Sequence, residues 1–200
     1  MKDYFQQSTN IFLTLAIPGA IGLAILSQPL LKTLATAAYM AGWQLVLMIA
    51  IGALFLGIYQ INMYIVYLVK QTKWLPLLIA AASATSAGIN MLLIPRIGIM
   101  GAAISNMVSY LVRAATVTIW ARKTISYSLD LKYLSKVIIA SLVMGLCLYL
   151  LKTNDAKGII LGVFVGAAIF VSVLLLLRGF STEEKLLFKN SIAEMIFWKD

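Results

Sequence analysis

Asn90-Met91-Leu92-Leu93-Ile94-Pro95-Arg96-Ile97-Gly98-Ile99-Met100-Gly101-Ala102-Ala103-Ile104-Ser105-Asn106 lies between two apolar segments, each long enough to cross a bilayer. The run reads as the hairpin where one transmembrane helix ends and the next begins. Pro95 removes a backbone donor and disfavours helical geometry at Ile94, while Gly98 accepts the positive backbone angle of a tight reversal. The first helix is therefore expected to stop at the proline. Gly101, Ala102 and Ala103 give the second helix a small-residue surface, which in lipid lets a neighbouring helix approach closely.

Working outward, the composition fits that reading. Of 200 residues, 62% are hydrophobic and 12% are charged, where a soluble domain has roughly a quarter charged. The chain reads as a membrane protein. Met1 to Asn10 is polar, and the apolar run from Ile11 is too long for a secretory signal, so the first helix is expected to be retained. One cysteine, Cys147, and no histidine leave no disulfide framework, zinc site or histidine-based catalysis. No catalytic residue, metal ligand or cofactor is assigned, and the chain is not read as an enzyme. The net charge of +9 comes from basic residues that flank apolar segments, not from a basic stripe with interleaved aromatics. Nucleic acid is therefore not an expected partner; the bilayer is.

Six segments reach the roughly 20 apolar residues that a span needs: 11–34, 43–69, 75–94, 98–120, 134–151 and 158–177. Their continuous character excludes the alternating pattern of a β-barrel. The predicted fold is all-α, a six-helix membrane bundle. One set of flanks carries eleven cations: Lys2, Lys70, Lys73, Arg122, Lys123, Lys132, Lys136, Arg178, Lys185, Lys189 and Lys199. The other carries four, Lys32, Arg96, Lys152 and Lys157. The positive-inside rule then puts both termini in the cytoplasm. Ser181-Thr182-Glu183-Glu184 has the form of a capping box, and Leu186, Leu187, Ile192, Met195, Ile196 and Trp198 follow among charges. A C-terminal amphipathic helix on the inner surface is expected over 179–200.

The pattern Asn90-x-x-Leu93-Ile94-Pro95-x-x-Gly98-x-x-Gly101-Ala102-Ala103-Ile104, with Ser109-Tyr110 after it, resembles the C-terminal region of bacterial oligosaccharide flippases. These are polysaccharide-biosynthesis proteins of the multidrug/oligosaccharidyl-lipid/polysaccharide exporter superfamily. Pro18 in the first segment and Tyr39 before Gly42 are similar to features of that family, although Ala35-Thr36-Ala37-Ala38 stands where the family usually has a glycine. The resemblance implies that residues 1–178 correspond to the last six helices of a fourteen-helix flippase, with an N-terminal lobe absent. It further implies residence in the bacterial inner membrane and translocation of an undecaprenyl-pyrophosphate-linked oligosaccharide by alternating access. The lipid-linked oligosaccharide, the bilayer and the missing lobe are the implied partners.

Arg113 is the one charge well inside an apolar segment. Placed about seven residues, roughly 10 Å, from the cytoplasmic end, it either snorkels to headgroups or faces a cavity, where a guanidinium can hold a pyrophosphate bidentately. Gln60 and Asn62, with Tyr59 beside them, need a partner helix or water, as does Asn106. These five residues are the candidate substrate contacts. Asn90 bonds the turn or touches substrate, and Pro18 with Gly19 and Gly22 forms a packing kink or a hinge. The run Ala80-Ala81-Ala82-Ser83-Ala84-Thr85-Ser86-Ala87-Gly88, small on every face, predicts a helix enclosed by others. Residues 121–133 read as a basic loop on the anionic leaflet. Gly158, Gly162 and Gly166 mark a packing face for the fifth segment or for a second copy, and Cys147 is a small apolar filler.

Three other functions remain open from the sequence. A drug or cation exporter of the same superfamily would carry a different cargo, and since no acidic residue lies inside any segment, one in the missing lobe would support it. A membrane glycosyltransferase or polymerase would need a larger extramembrane loop. A non-transporting assembly fragment is the third.

Overall fold

The computed structural model describes residues 2–34, 42–70, 73, 75–124, 130–151 and 155–177. They form six helices: α1 (Lys2–Leu34), α2 (Trp43–Leu68), α3 (Leu75–Ile97), α4 (Ile99–Thr124), α5 (Leu131–Leu150) and α6 (Ala156–Leu176). Each is long and apolar enough to cross a membrane, so the chain is a multi-pass membrane protein. Tyr39, residues 125–129 and the expected helix over 179–200 lie outside the described residues.

The helix bounds correct the sequence reading in three places. α1 begins at Lys2, ahead of the apolar run, because nothing before Pro18 breaks a helix. Its early polar residues are satisfied locally: Thr9 is buried and donates to the Phe5 carbonyl at 2.8 Å. α3 runs through Pro95 to Ile97. The proline costs one backbone hydrogen bond in the last turn, and the reversal falls on Gly98, at φ +59°, as its sequence position implied. The basic loop after α4 is shorter than expected, since α4 extends to Thr124 and Asp130 caps α5 by accepting from the Lys132 and Tyr133 amides at 3.0 and 3.1 Å.

Packing divides the bundle. Val137, Ala140, Met144, Leu148, Phe170 and Leu174 form a core between α5 and α6 that Ile17, Ile21 and Ile25 of α1 close. Met63, Val66, Leu75 and Val117 form a second core among α2, α3 and α4. α1 joins the halves: Phe5 packs with Ile65 and Ala121, and the Phe12 ring fills the space a side chain at Gly57 would need. Of the glycine face on α6, Gly166 meets Leu148 of α5, the hairpin partner expected. Cys147 is half-buried and free.

α3 departs most from expectation. It packs almost entirely against α4, and only Leu75 and Ala82 on it are buried. A helix of small side chains offers close approach on every face, but that makes it packable without supplying a partner. The hairpin itself is as tight as the sequence implied: a Cβ at Gly101 would lie 2.7 Å from the Leu93 carbonyl carbon.

Gly101→Val should therefore force α3 and α4 apart, with a stability loss at the upper end of the roughly 1–3 kcal/mol typical of overpacking. Gly98→Ala should lose only the roughly 1 kcal/mol of a left-handed backbone. Thermal unfolding of the protein in detergent should rank the two in that order.

Candidate functional site

Two serines one helical turn apart hold α4 to α3. Ser105 Oγ donates to the Ser86 carbonyl at 2.8 Å, with the Ser86 hydroxyl 3.3 Å away, and Ser109 Oγ donates to the Ala82 carbonyl at 3.1 Å. Each step of four along α4 matches a step of four back along α3. That register puts the backbone of Arg113 level with about Leu78.

The Arg113 side chain does not stay at that level. Its Nη2 donates to Ser83 Oγ at a long 3.5 Å, so the guanidinium reaches five residues, about 7 Å, back towards the hairpin. Helical side chains lean towards their own N-terminus, which explains the direction. α4 continues to Thr124, so Arg113 stands eleven residues, about 16 Å, from that end of the helix. The cation therefore sits near mid-span and points away from the nearer interface, opposite to what snorkelling requires. Its Nε is buried and unpaired, and no Asp or Glu lies within any of the six spans to balance it.

Beside Arg113, α3 and α4 enclose a groove of about 450 Å³ lined by Leu77, Leu78, Ala81, Ala82, Thr85, Val112, Arg113, Thr116, Ile119, Trp120 and Lys123. Its walls are mostly apolar. Thr85 and Thr116 give their protons to the Ala81 and Val112 carbonyls of their own helices. The charged donors are thus Arg113 at the hairpin-side end of the groove and Lys123 at the other. Such a groove suits an amphiphile with an anionic group.

The other candidates are dispersed. Tyr59, half-buried on α2, packs beside the Met63 core. Asn62 is fully buried and donates to the Ile58 carbonyl at 2.9 Å and to Thr118 Oγ1 at 3.2 Å, which ties α2 to α4. Its need for a partner is met inside the bundle. Gln60 is exposed, and Asn106 is exposed on α4. Asn90 does not bond the turn as expected, because its side-chain oxygen is buried without a partner. Pro18 stands within continuous α1 and lines a second groove, about 630 Å³ and almost wholly apolar, between α1, α5 and α6. At that groove Thr14 gives its proton to the Asn10 carbonyl, so the Tyr133 hydroxyl donates to Thr14 at 2.7 Å.

Sequence reasoning missed Ser83, Lys123 and the Ser105–Ser109 pair as parts of this site. The one available signal was the four-residue serine spacing opposite a serine-bearing helix. Among the described residues no three His, Cys, Asp or Glu side chains gather to hold a metal ion. Comparison of the chain with models of protein families, with curated proteins and with solved structures finds no match in any of the three.

Asn62→Leu should destabilise the bundle by about 0.6 kcal/mol, the usual size of an interhelical hydrogen bond in lipid, whereas Gln60→Leu should leave it unchanged in the same detergent unfolding assay. With Cys147 replaced by serine, the thiol introduced by Arg113→Cys should react in membranes with a charged, water-soluble thiol reagent well before that introduced by Ala114→Cys, whose site is buried.

Proposed function

We propose that the chain is part of a membrane transporter that carries a lipid-linked oligosaccharide between the leaflets of the bacterial plasma membrane for surface polysaccharide synthesis. The observation that supports this reading is the mid-span Arg113 on an α3–α4 groove with no carboxylate in any span to neutralise it. An uncompensated guanidinium in hydrocarbon is costly. A substrate phosphate would offset that cost when bound, and the planar fork of arginine suits two oxygens of a pyrophosphate. Apolar groove walls would accept the polyprenyl part, while the sugars would occupy a hydrophilic space between this six-helix portion and a further lobe. The motif around Pro95 and Gly98 belongs to the same reading, through the resemblance it carries. Movement would then be alternating access, with the tightly bonded α3–α4 hairpin acting as one rigid piece.

The test is delivery of lipid-linked oligosaccharide to the outer leaflet in cells that lack their own flippase, at matched protein levels. Arg113→Ala should lower delivery at least about tenfold, as expected for loss of a hydrogen-bonded charge contact of roughly 1.5–3 kcal/mol. Arg113→Lys should retain part of it, because the charge stays and the fork is lost. Undiminished delivery by Arg113→Ala would remove the basis of this reading.

A further inference from the structure

The polar groups of α4 extend beyond the groove. Asn106, Arg113 and Trp120 recur every seven residues, so they form one file that drifts by only about 20° per step. Lys123 lines the same groove as Arg113 and Trp120. From Asn106 to Lys123 the file covers about 25 Å along the axis, against a hydrocarbon thickness of about 30 Å. Arg96 stands exposed at the hairpin, at the opposite end from Lys123. Cations therefore mark both ends of this helix pair and its middle.

The file is also open at the side. α3 is the outermost helix, and Ala80, Ala81, Ser83, Ala84, Ala87 and Gly88 on it are exposed. Such small side chains make a low wall. Asn106 and Lys123 are exposed, and neither side chain has a hydrogen-bond partner among the described residues. A charged group held at mid-span draws in water and headgroups and thins the bilayer locally. A second copy of the chain would not relieve this, since its spans carry no carboxylate and would bring another Arg113 instead. The anion at hand in every bilayer is the phosphate of its own lipids.

We infer that the chain scrambles ordinary glycerophospholipids. The phosphate headgroup passes along the file between Lys123, Arg113 and Asn106, while the acyl chains stay in the surrounding bilayer. This activity shares Arg113 with the transport reading but requires neither an oligosaccharide nor a further lobe. No bond is made or broken, and movement runs in both directions down the lipid gradient.

The test reconstitutes the purified chain into phosphatidylethanolamine–phosphatidylglycerol vesicles that contain phosphatidylglycerol labelled on an acyl chain with a nitrobenzoxadiazole dye. Added dithionite bleaches only the outer leaflet unless lipids exchange. Bleaching should proceed beyond the outer-leaflet share with the chain present, and slow about tenfold or more for Arg113→Leu and for Asn106→Leu. Asn106 is exposed and unbonded, so that variant carries the test if Arg113→Leu fails to fold. Ser172→Ala, on exposed α6 surface, should leave the rate unchanged. Bleaching that stops at the outer-leaflet share would overturn the inference, as would bleaching of a soluble dye sealed inside the vesicles or a rate indifferent to both leucine variants. A chain that delivers lipid-linked oligosaccharide in cells yet scrambles nothing would retain the transport reading and lose this one. The reverse result would do the opposite.

Discussion

A serine hydroxyl in hydrocarbon has no water to bond, and Ser105 and Ser109 meet that constraint by donating to carbonyls of the neighbouring helix. For those bonds to form, the two backbones must lie close together, which requires Gly101 where a side chain would strike the Leu93 backbone. Close approach in turn fixes register, and register decides that the Arg113 guanidinium meets Ser83 near mid-span. The groove, its cation and its low outer wall all follow from one pair of hydroxyls that had to be satisfied inside the protein.

The rest of the bundle meets the same constraint in other ways. Asn62 bridges α2 to α4 through Thr118, and Thr14 with Tyr133 bridges α1 to α5. Between these polar ties the contacts are apolar and shape-driven, as where the Phe12 ring occupies the space over Gly57. α1 is therefore the shared wall: one stretch of it closes the α5–α6 core, and Phe5 and Phe12 hold α2. α3 meets α2 only at the Met63–Leu75 core and otherwise packs on α4, which leaves the cationic groove at the margin of the bundle.

The sequence made the six spans legible because each apolar run had the length a bilayer demands, and the predicted bounds of α2 differ from those observed by one residue. It was less informative where polarity and helicity part company. The polar start of α1 is helical because Thr9 and Thr14 bond their own backbone, and Pro95 does not end α3 because one missing bond in a last turn is a small loss. Small residues told that α3 was packable but not by what. Asn62 and the serine pair were visible as polar residues, yet which helix each would bond depends on neighbours that lie 19, 27 or 56 positions away.

The one-residue turn at Gly98 bears on how the protein enters the membrane. α4 is the least apolar of the six spans, with a mean hydropathy of 1.2 against 1.9 for α3, and a central arginine opposes partitioning by roughly 2.5–3.5 kcal/mol on insertion scales. Alone, such a segment would leave a translocation channel reluctantly. Joined to α3 by a single residue and bonded to it through Ser105 and Ser109, it has no separate passage to make. The two helices would partition into lipid as one unit, with α3 supplying the apolar surface that carries the arginine in.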